Sequence, residues 1–191
     1  MAGKKNAQQI TIDDIMKLGP KKIILLIIAA VAVYFFGNDT FLQEHDDSGI
    51  IPGIVARVVD GDTAVITVDG QERRVRFLGV DTPETVHPNK PVQYYGKEAS
   101  SFTKNSLTGR RVWLEYDSSP TDRYNRHLAY IWLNKPATID EQTIRRDMFN
   151  ARLLLDGYAR TMIIKPNTRY AKLFGAFQDE AKSSRKGLWA E

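Results

Sequence analysis

Between Ile54 and Val80 the sequence holds three short runs rich in β-branched residues, and Asp-Gly turn signals separate them. The runs are Ile54–Val59, Thr63–Val68 and Arg73–Val80. Partial alternation of apolar and polar residues within each run is typical of strands. Asp-Gly pairs favour the tight turns that join neighbouring antiparallel strands. The sequence therefore predicts a three-stranded meander.

Helical and strand patterns follow this meander along the chain. Apolar residues have helical spacing in Gly96–Leu107, and two more strand patterns occupy Arg110–Tyr116 and His127–Leu133. Helices are also predicted for Asp147–Leu155 and Arg169–Ser184. The predicted class is α+β, a five-stranded Greek-key barrel of the OB-fold type with about three peripheral helices, preceded by an N-terminal hydrophobic helix. The concave strand face of such barrels commonly binds oligonucleotides.

An apolar segment precedes this domain. Ile23 to Phe36 runs for fourteen residues without a charge, which is short of the ~20 residues of a full membrane span and also suits the apolar region of a signal peptide. Lysines come before the run and acidic residues after it, so the positive-inside tendency places the N-terminus in the cytoplasm.

We therefore predict four segments: a cytoplasmic tail at residues 1–22, a single-pass anchor in the cell membrane at 23–37, a linker at 38–49, and an OB-fold barrel domain on the extracytoplasmic side at 50–191. Removal of 23–37 as a signal peptide, with secretion of the domain, is an alternative. A buried core helix is a third interpretation of the same run.

The composition narrows the chemistry. The chain has no cysteine, which excludes disulfides, thiolate zinc sites and a cysteine nucleophile. Its three histidines lack the spacing of zinc ligands. Any bound metal is therefore expected to be a hard cation held by oxygen. The net charge of +4 suits a polyanionic substrate, although many other proteins share such a charge.

Two aspartates of the meander are candidate ligands of one cation. Asp62 follows the first strand and Asp81 follows the third, and the ends of these strands can lie close together. Two carboxylates and a backbone carbonyl, completed by water, suit Ca²⁺, which takes 6–8 oxygen ligands.

Three further side chains suit phosphoryl chemistry. Glu84 follows a proline that could aim its carboxylate beside the metal, in a general-base position. Arg76 and Arg126 come from separate segments, and guanidinium groups bind phosphate oxygens in a bidentate way. A cation, arginines and a group that orients water are what phosphoryl transfer requires.

Each of these signals also has a purely structural interpretation. Asp-Gly-Asp is an ordinary turn sequence, and Asp-Thr-Pro-Glu could be a helix-capping motif. Arg76 and Arg126 could each be solvated surface charges.

The combination and order of the motifs resembles the thermonuclease family, the staphylococcal nuclease type, along nearly all of residues 52–190. The strings that carry this resemblance are VVDGDTAVI, RFLGVDTPETVHP, YYGKEASSFTK, TDRYNRHLAYIW, ARLLLDGYAR, IKPN and GLWAE. The resemblance implies an endonuclease that cuts DNA and RNA with low sequence specificity. Water attacks in line in that family, the 5′-oxygen leaves, and the products end in a 3′-phosphate.

The resemblance also implies roles for individual residues. Calcium would be held by Asp62, Asp81 and the carbonyl of Thr82. Glu84 would activate or orient the attacking water, and Arg76 and Arg126 would hold the scissile phosphate.

The same resemblance implies two substrate contacts, and it shows two places where this chain differs from the family pattern. Tyr124 matches the family residue near the 3′-phosphate of a bound nucleotide, and Arg123 stands where a lysine is usual. Met162 occupies a position where a well-known member has a tyrosine that lines the base pocket. Between Leu133 and Phe149 the chain is longer than the family pattern, which we interpret as a surface insertion.

Two other function classes stay open at this point. The chain could be a nucleic-acid-binding module that does not turn substrate over, although Glu84 and Arg76 are both present. It could also be a membrane-tethered interaction protein whose barrel is only a scaffold. The expected partners are DNA and RNA as substrates and a membrane through the N-terminal segment. No obligate protein partner is evident, and we expect a monomer.

Overall fold

The computed structural model describes residues 23–24, 49–85 and 93–190. Seven strands form two sheets in these ranges: β1 Ile50–Asp60, β2 Thr63–Val68, β3 Gln71–Phe77, β4 Gly79–Asp81, β5 Arg111–Thr121, β6 His127–Trp132 and β7 Arg160–Met162. Five of them close a barrel in the order β1-β2-β3-β6-β5. Only β3 and β6 pair in parallel within it. This confirms the predicted five-stranded barrel, which fits an OB-fold.

Four α-helices surround the barrel in the described ranges: α1 Gly96–Leu107, α2 Glu141–Asp147, α3 Phe149–Leu155 and α4 Ala171–Ser183. A 3₁₀ turn at Gly187–Trp189 follows. The prediction of about three helices missed α2, which lies in the segment interpreted as a surface insertion. This short helix begins at a side-chain cap, where Asp140 accepts a hydrogen bond from the Thr143 N–H at 2.7 Å.

The predicted helix Asp147–Leu155 is also corrected by two residues. Asp147 is the last residue of α2, and Met148 is extended between the two helices (φ −89°, ψ 118°). Met148 instead forms an isolated bridge with Trp132 of the barrel. The buried side chain of Met148 therefore ties the break between the helices to the barrel wall.

The predicted third strand, Arg73–Val80, is divided in the structure. β3 ends at Phe77, and β4 leaves the barrel to pair with β7. Gly79 makes this change of direction possible, because its φ is +77° and a Cβ there would lie 2.5 Å from the Phe174 ring. The division carries Asp81 away from the barrel wall and sets it opposite Arg160 of β7.

A buried asparagine fixes the start of β4. The Asn150 side chain on α3 accepts a hydrogen bond from the Ile131 N–H at 2.8 Å and donates one to the Leu78 carbonyl at 2.8 Å. Asn150 is fully buried. One side chain therefore joins α3, β6 and the strand that leads to Asp81, and it satisfies two backbone groups that burial would otherwise leave unpaired.

The predicted tail, the predicted anchor apart from Ile23 and Ile24, and the predicted linker up to residue 48 lie outside the described residues. Residues 23–24, 49–85 and 93–190 contain no helix long and apolar enough to span a membrane.

Candidate active site

A polar cleft of about 230 Å³ opens at one end of the barrel. Its lining includes six of the eight predicted site residues: Asp62, Arg76, Asp81, Thr82, Glu84 and Arg126. The turn between β1 and β2, the end of β3 with β4, and the segment before β6 contribute these side chains. The structure thus brings together residues that are up to 64 positions apart in the chain.

The β1–β2 turn is locked to Thr82. The Asp62 side chain is buried, and its Oδ2 accepts hydrogen bonds from the Thr82 N–H at 2.9 Å and the Thr82 hydroxyl at 3.1 Å. Gly61 permits this approach, because a Cβ at that position would lie 2.6 Å from the Thr82 Oγ1. The Gly61 carbonyl also accepts a hydrogen bond from the Thr103 hydroxyl at 2.6 Å. The Asp-Gly-Asp turn therefore fixes Asp62 against the segment that holds the second aspartate.

Arg76 joins the two aspartates. Its guanidinium contacts the Asp62 Oδ2 through Nη1 and the Asp81 Oδ1 through Nη2, the latter at 2.8 Å. Arg76 is buried, whereas half of the Asp81 side chain (53%) is exposed. Partial burial is the main reason that the pKa of Asp81 lies above its ordinary value; Arg76 lowers it in part, and Asp62 raises it again.

The donor groups at this position fit a hard cation. Asp62 and Asp81 offer carboxylate oxygens on either side of one guanidinium, and the backbone of Thr82 lies against Asp62. Within the described residues no three or more His, Cys, Asp or Glu side chains form a group that could hold a metal. The predicted ligand set has only two such side chains, Asp62 and Asp81, because its third ligand is the Thr82 backbone carbonyl. All three ligands are oxygens, which suits Ca²⁺ with water as the remaining ligands.

Glu84 lies at the edge of the cleft and is held by its backbone. Its N–H donates to the Gln93 Oε1 at 3.0 Å, and its carbonyl accepts from the Gln93 N–H at 3.0 Å. The Glu84 Oε1 accepts a hydrogen bond from the Thr85 N–H at 3.1 Å. These contacts fix the carboxylate without removing it from the cleft lining.

Asp60 is a cleft residue that the sequence reasoning did not identify. It is buried, and it accepts a hydrogen bond from the Thr85 hydroxyl at 2.5 Å. Burial raises the pKa of Asp60, and the hydrogen bond from Thr85 opposes this. The sequence did hold a signal for Asp60: it flanks the same tight turn as Asp62, and residues on either side of a tight turn lie close together.

Arg126 is held by Asp122, another residue to which the sequence reasoning gave no role. The Asp122 Oδ2 accepts from the Arg126 Nε at 2.8 Å and contacts its Nη2 at 2.7 Å. The Asp122 Oδ1 accepts from the N–H groups of Tyr124 and Arg126 at 2.9 and 3.0 Å. Burial raises the pKa of Asp122, but these hydrogen bonds outweigh it, and the pKa lies below its ordinary value. One edge of the Arg126 guanidinium is thus occupied, and its Nη1 has no hydrogen-bond partner among the described residues.

The two predicted substrate contacts, Arg123 and Tyr124, do not line the cleft. Tyr124 is 64% exposed, and the guanidinium carbons of Arg123 and Arg126 lie 4.8 and 5.4 Å from the centroid of its ring. The Arg123 Nη2 also donates to the Tyr124 hydroxyl at 2.6 Å. Because Arg126 lines the cleft and packs against Tyr124, Arg123 and Tyr124 lie at the rim of the cleft.

The family model of the staphylococcal nuclease homologues matches residues 74–191, more than half of the chain. The chain belongs to the staphylococcal nuclease family. It is 44% identical over 170 residues to the thermonuclease of Staphylococcus intermedius, covering 87% of this chain and 95% of that protein. It is 46% identical over 136 residues to the thermonuclease of Staphylococcus hyicus, covering 71% and 74% of the two chains.

A more distant relative is the endonuclease YncB of Bacillus subtilis (strain 168), 36% identical over 137 residues, covering 71% of this chain and 60% of that protein. The resemblance drawn from the motifs is therefore confirmed at the level of the family. This member of the family is a nuclease, a hydrolase that acts on phosphodiester bonds.

Proposed function

We propose that the chain is a calcium-dependent endonuclease that hydrolyses DNA and RNA with low sequence specificity and leaves 3′-phosphate ends. The observation that carries this proposal is the buried Arg76 guanidinium, which contacts both Asp62 and Asp81 in a cleft that Glu84 and Arg126 also line. Oxygen donors for a cation, two arginines and an ionisable carboxylate meet there, which is the set that phosphodiester hydrolysis requires.

In this proposal Arg76 and Arg126 bind the non-bridging oxygens of the scissile phosphate. Arg126 presents its Nη1, which has no partner in the part of the chain that the structure describes, while Asp122 holds the other edge of the guanidinium. Arg76 exchanges part of its contact with the aspartates for the phosphate. Asp62, Asp81 and the Thr82 carbonyl would hold Ca²⁺, which when bound supplies positive charge that offsets the charge developing on the phosphate.

Glu84 accepts a proton from the attacking water. The new bond forms between the water oxygen and phosphorus, and the bond from phosphorus to the 5′-oxygen breaks. That oxygen leaves with the bonding electrons and takes a proton from solvent water, and Glu84 releases its proton to solvent, so the products are a 5′-hydroxyl and a 3′-phosphate. Because the polar lining binds phosphate rather than base edges, the reaction is expected to have little sequence preference.

Cleavage assays with and without calcium test the proposal. We expect the full chain to cut single-stranded DNA and RNA in the presence of Ca²⁺, to lose this activity with excess chelator, and to regain it when Ca²⁺ is restored. End-group analysis is expected to find 3′-phosphates. Binding of DNA without cleavage in either condition would contradict the proposal.

We also propose that the chain is a monomer anchored in the cell membrane through residues 23–37, with residues 50–191 on the extracytoplasmic side. The fourteen uncharged residues from Ile23, with lysines before them and acidic residues after them, support this topology. Protease added to intact cells is expected to destroy the nuclease activity of the membrane fraction. Activity that survives such treatment and is lost only after lysis would contradict the topology.

A further inference from the structure

Arg74 is a cleft residue to which neither the sequence motifs nor the proposed mechanism gives a role. It precedes Arg76 by two positions on β3 and lines the same cleft. The other arginines near it are paired: Arg57 with Glu72 at 3.0 Å, and Arg76 with Asp62 and Asp81. Arg74 makes no ion pair or side-chain hydrogen bond with any residue in the described ranges, and its side chain is exposed.

The strand register places Arg74 on the same face as Arg76. In the β2–β3 ladder, Arg76 is opposite Thr63 and Arg74 is opposite Val65. Residues two apart on a strand share a face and are separated by about 6.8 Å. Val75, between them, points to the other face and is fully buried in the barrel core. The two guanidinium groups therefore form a row on the outer face of the barrel, and the row leads out of the cleft.

Arg57 does not compete for this position. It pairs with Val65 across β1 and β2, so it lies in the same row of residues as Arg74. Glu72 neutralises it through a contact at 3.0 Å, so that among the described residues Arg74 is the charge of that row without a counterion. An exposed arginine that has no ion-pair partner within residues 49–85 and 93–190, and that lies beside an anion-binding cleft, is a candidate to bind a second anionic group.

We propose that Arg74 binds the phosphate next to the scissile one on the substrate strand. The inference rests on the proposed function, and it extends the site from one phosphate to two. The nucleic-acid backbone offers such a neighbouring phosphate, whereas a small phosphodiester does not. Arg74 lies two residues from Arg76, about 6.8 Å along the strand. It therefore contributes to substrate binding and does not contact the reacting atoms.

Arg74→Gln tests this inference, and Arg73→Gln is its matched control. Both variants remove one arginine charge from the same strand, but Arg73 lies on the opposite face, 3.5 Å from the Tyr116 hydroxyl. The substrates are a dinucleotide with a single phosphodiester and a short oligothymidylate. Kinetics with Ca²⁺ give kcat and KM for each, and fluorescence anisotropy with chelator measures oligothymidylate binding without turnover.

We expect Arg74→Gln to raise KM and Kd for the oligothymidylate about tenfold, with kcat unchanged, because one charge-assisted contact is lost. The slope of log Kd against log salt concentration should fall by about 0.7, which is the value for one phosphate contact on a single strand. Cleavage of the dinucleotide should be unaffected, and Arg73→Gln should match the unmodified chain on both substrates.

Equal effects of the two variants on oligothymidylate binding would overturn the inference, since the effect would then reflect net charge alone. Equal loss on both substrates for Arg74→Gln would overturn it as well, because Arg74 would then act on the scissile phosphate. The anisotropy measurement keeps the two proposals apart. If the unmodified chain binds but cuts neither substrate, the proposed function fails, while weaker binding by Arg74→Gln alone still supports a second phosphate contact.

Discussion

Replacing Glu84 by glutamine is expected to lower kcat by about 10²- to 10⁴-fold, the usual contribution of a positioned general base. Glutamine has nearly the same shape and keeps an oxygen that can accept the hydrogen bond from the Thr85 N–H. It cannot take a proton from water at neutral pH. The backbone contacts with Gln93 do not involve the carboxylate, so the segment should keep its position. KM is expected to change little, because the phosphate contacts of Arg76 and Arg126 remain.

Steady-state kinetics with Ca²⁺ and a single-stranded DNA substrate measure this effect. Glu98→Gln is the control, since it makes the same chemical change on the exposed first turn of α1, outside the cleft. The control should retain the kcat of the unmodified chain, and urea unfolding should show that both variants are folded. A Glu84→Gln variant within threefold of normal kcat would rule out the base role assigned to Glu84.

The barrel could be predicted from the sequence because its signals are local. The β-branched run of β2 and the Asp69-Gly70 turn after it identify a hairpin without any knowledge of distant residues. The break between β3 and β4 depends on a long-range contact. Gly79 has space for no side chain because Phe174, 95 positions later, packs against it. A window of sequence around Gly79 shows only an uninterrupted strand pattern.

Helix α2 was missed for a different reason. Arg145 pairs with Glu141 at 2.9 Å on the same helix and with Glu180 of α4 at 2.8 Å. Charged pairs four residues apart give no apolar periodicity, and a capped helix of seven residues is short for pattern analysis. Its stabilisation comes from the Asp140 cap and from the neighbouring helix, which only the folded chain brings together.

The site residues also divide into those with a signal in the local sequence and those whose role depends on the folded geometry. Asp62, Asp81, Glu84 and the two arginines were predicted because their motifs match a family and their chemistry is complete. Asp122 lay inside a recognised motif, but its role depends on a turn that closes through Asn125 in the left-handed region (φ 58°) and returns Arg126 to the same carboxylate. A residue such as Asp122, which only positions another side chain, can be identified from the folded geometry but not from the sequence motif alone.

The second large effect is expected for Arg76→Gln, which should lower both activity and stability. Loss of one preorganised charge on the transition state typically costs about 10²- to 10³-fold in kcat. Arg76 is also the internal counterion of Asp62, which is buried. Removal of one partner from a buried ion pair costs about 3–5 kcal/mol. Because half of the Asp81 side chain is exposed, solvent screens that second contact and most of the loss is expected from Asp62.

Calcium should partly reverse the loss of stability in Arg76→Gln. Without the guanidinium, Asp62 and Asp81 repel each other, and a bound cation that only the folded chain can hold then stabilises it by mass action. Urea unfolding with and without Ca²⁺ should therefore show a larger calcium-dependent increase in the midpoint for the variant than for the unmodified chain.

Arg126→Gln separates the two effects of Arg76→Gln. It removes the other phosphate-binding arginine, but Asp122 keeps the hydrogen bond that the Tyr124 N–H donates and the one from the backbone N–H of residue 126. Activity should fall in this variant as well, with a much smaller change in stability and no enhanced response to calcium. If Arg76→Gln instead unfolds at the same urea concentration as the unmodified chain, Arg76 does not stabilise the fold as the counterion of Asp62. The buried guanidinium would then serve substrate binding alone.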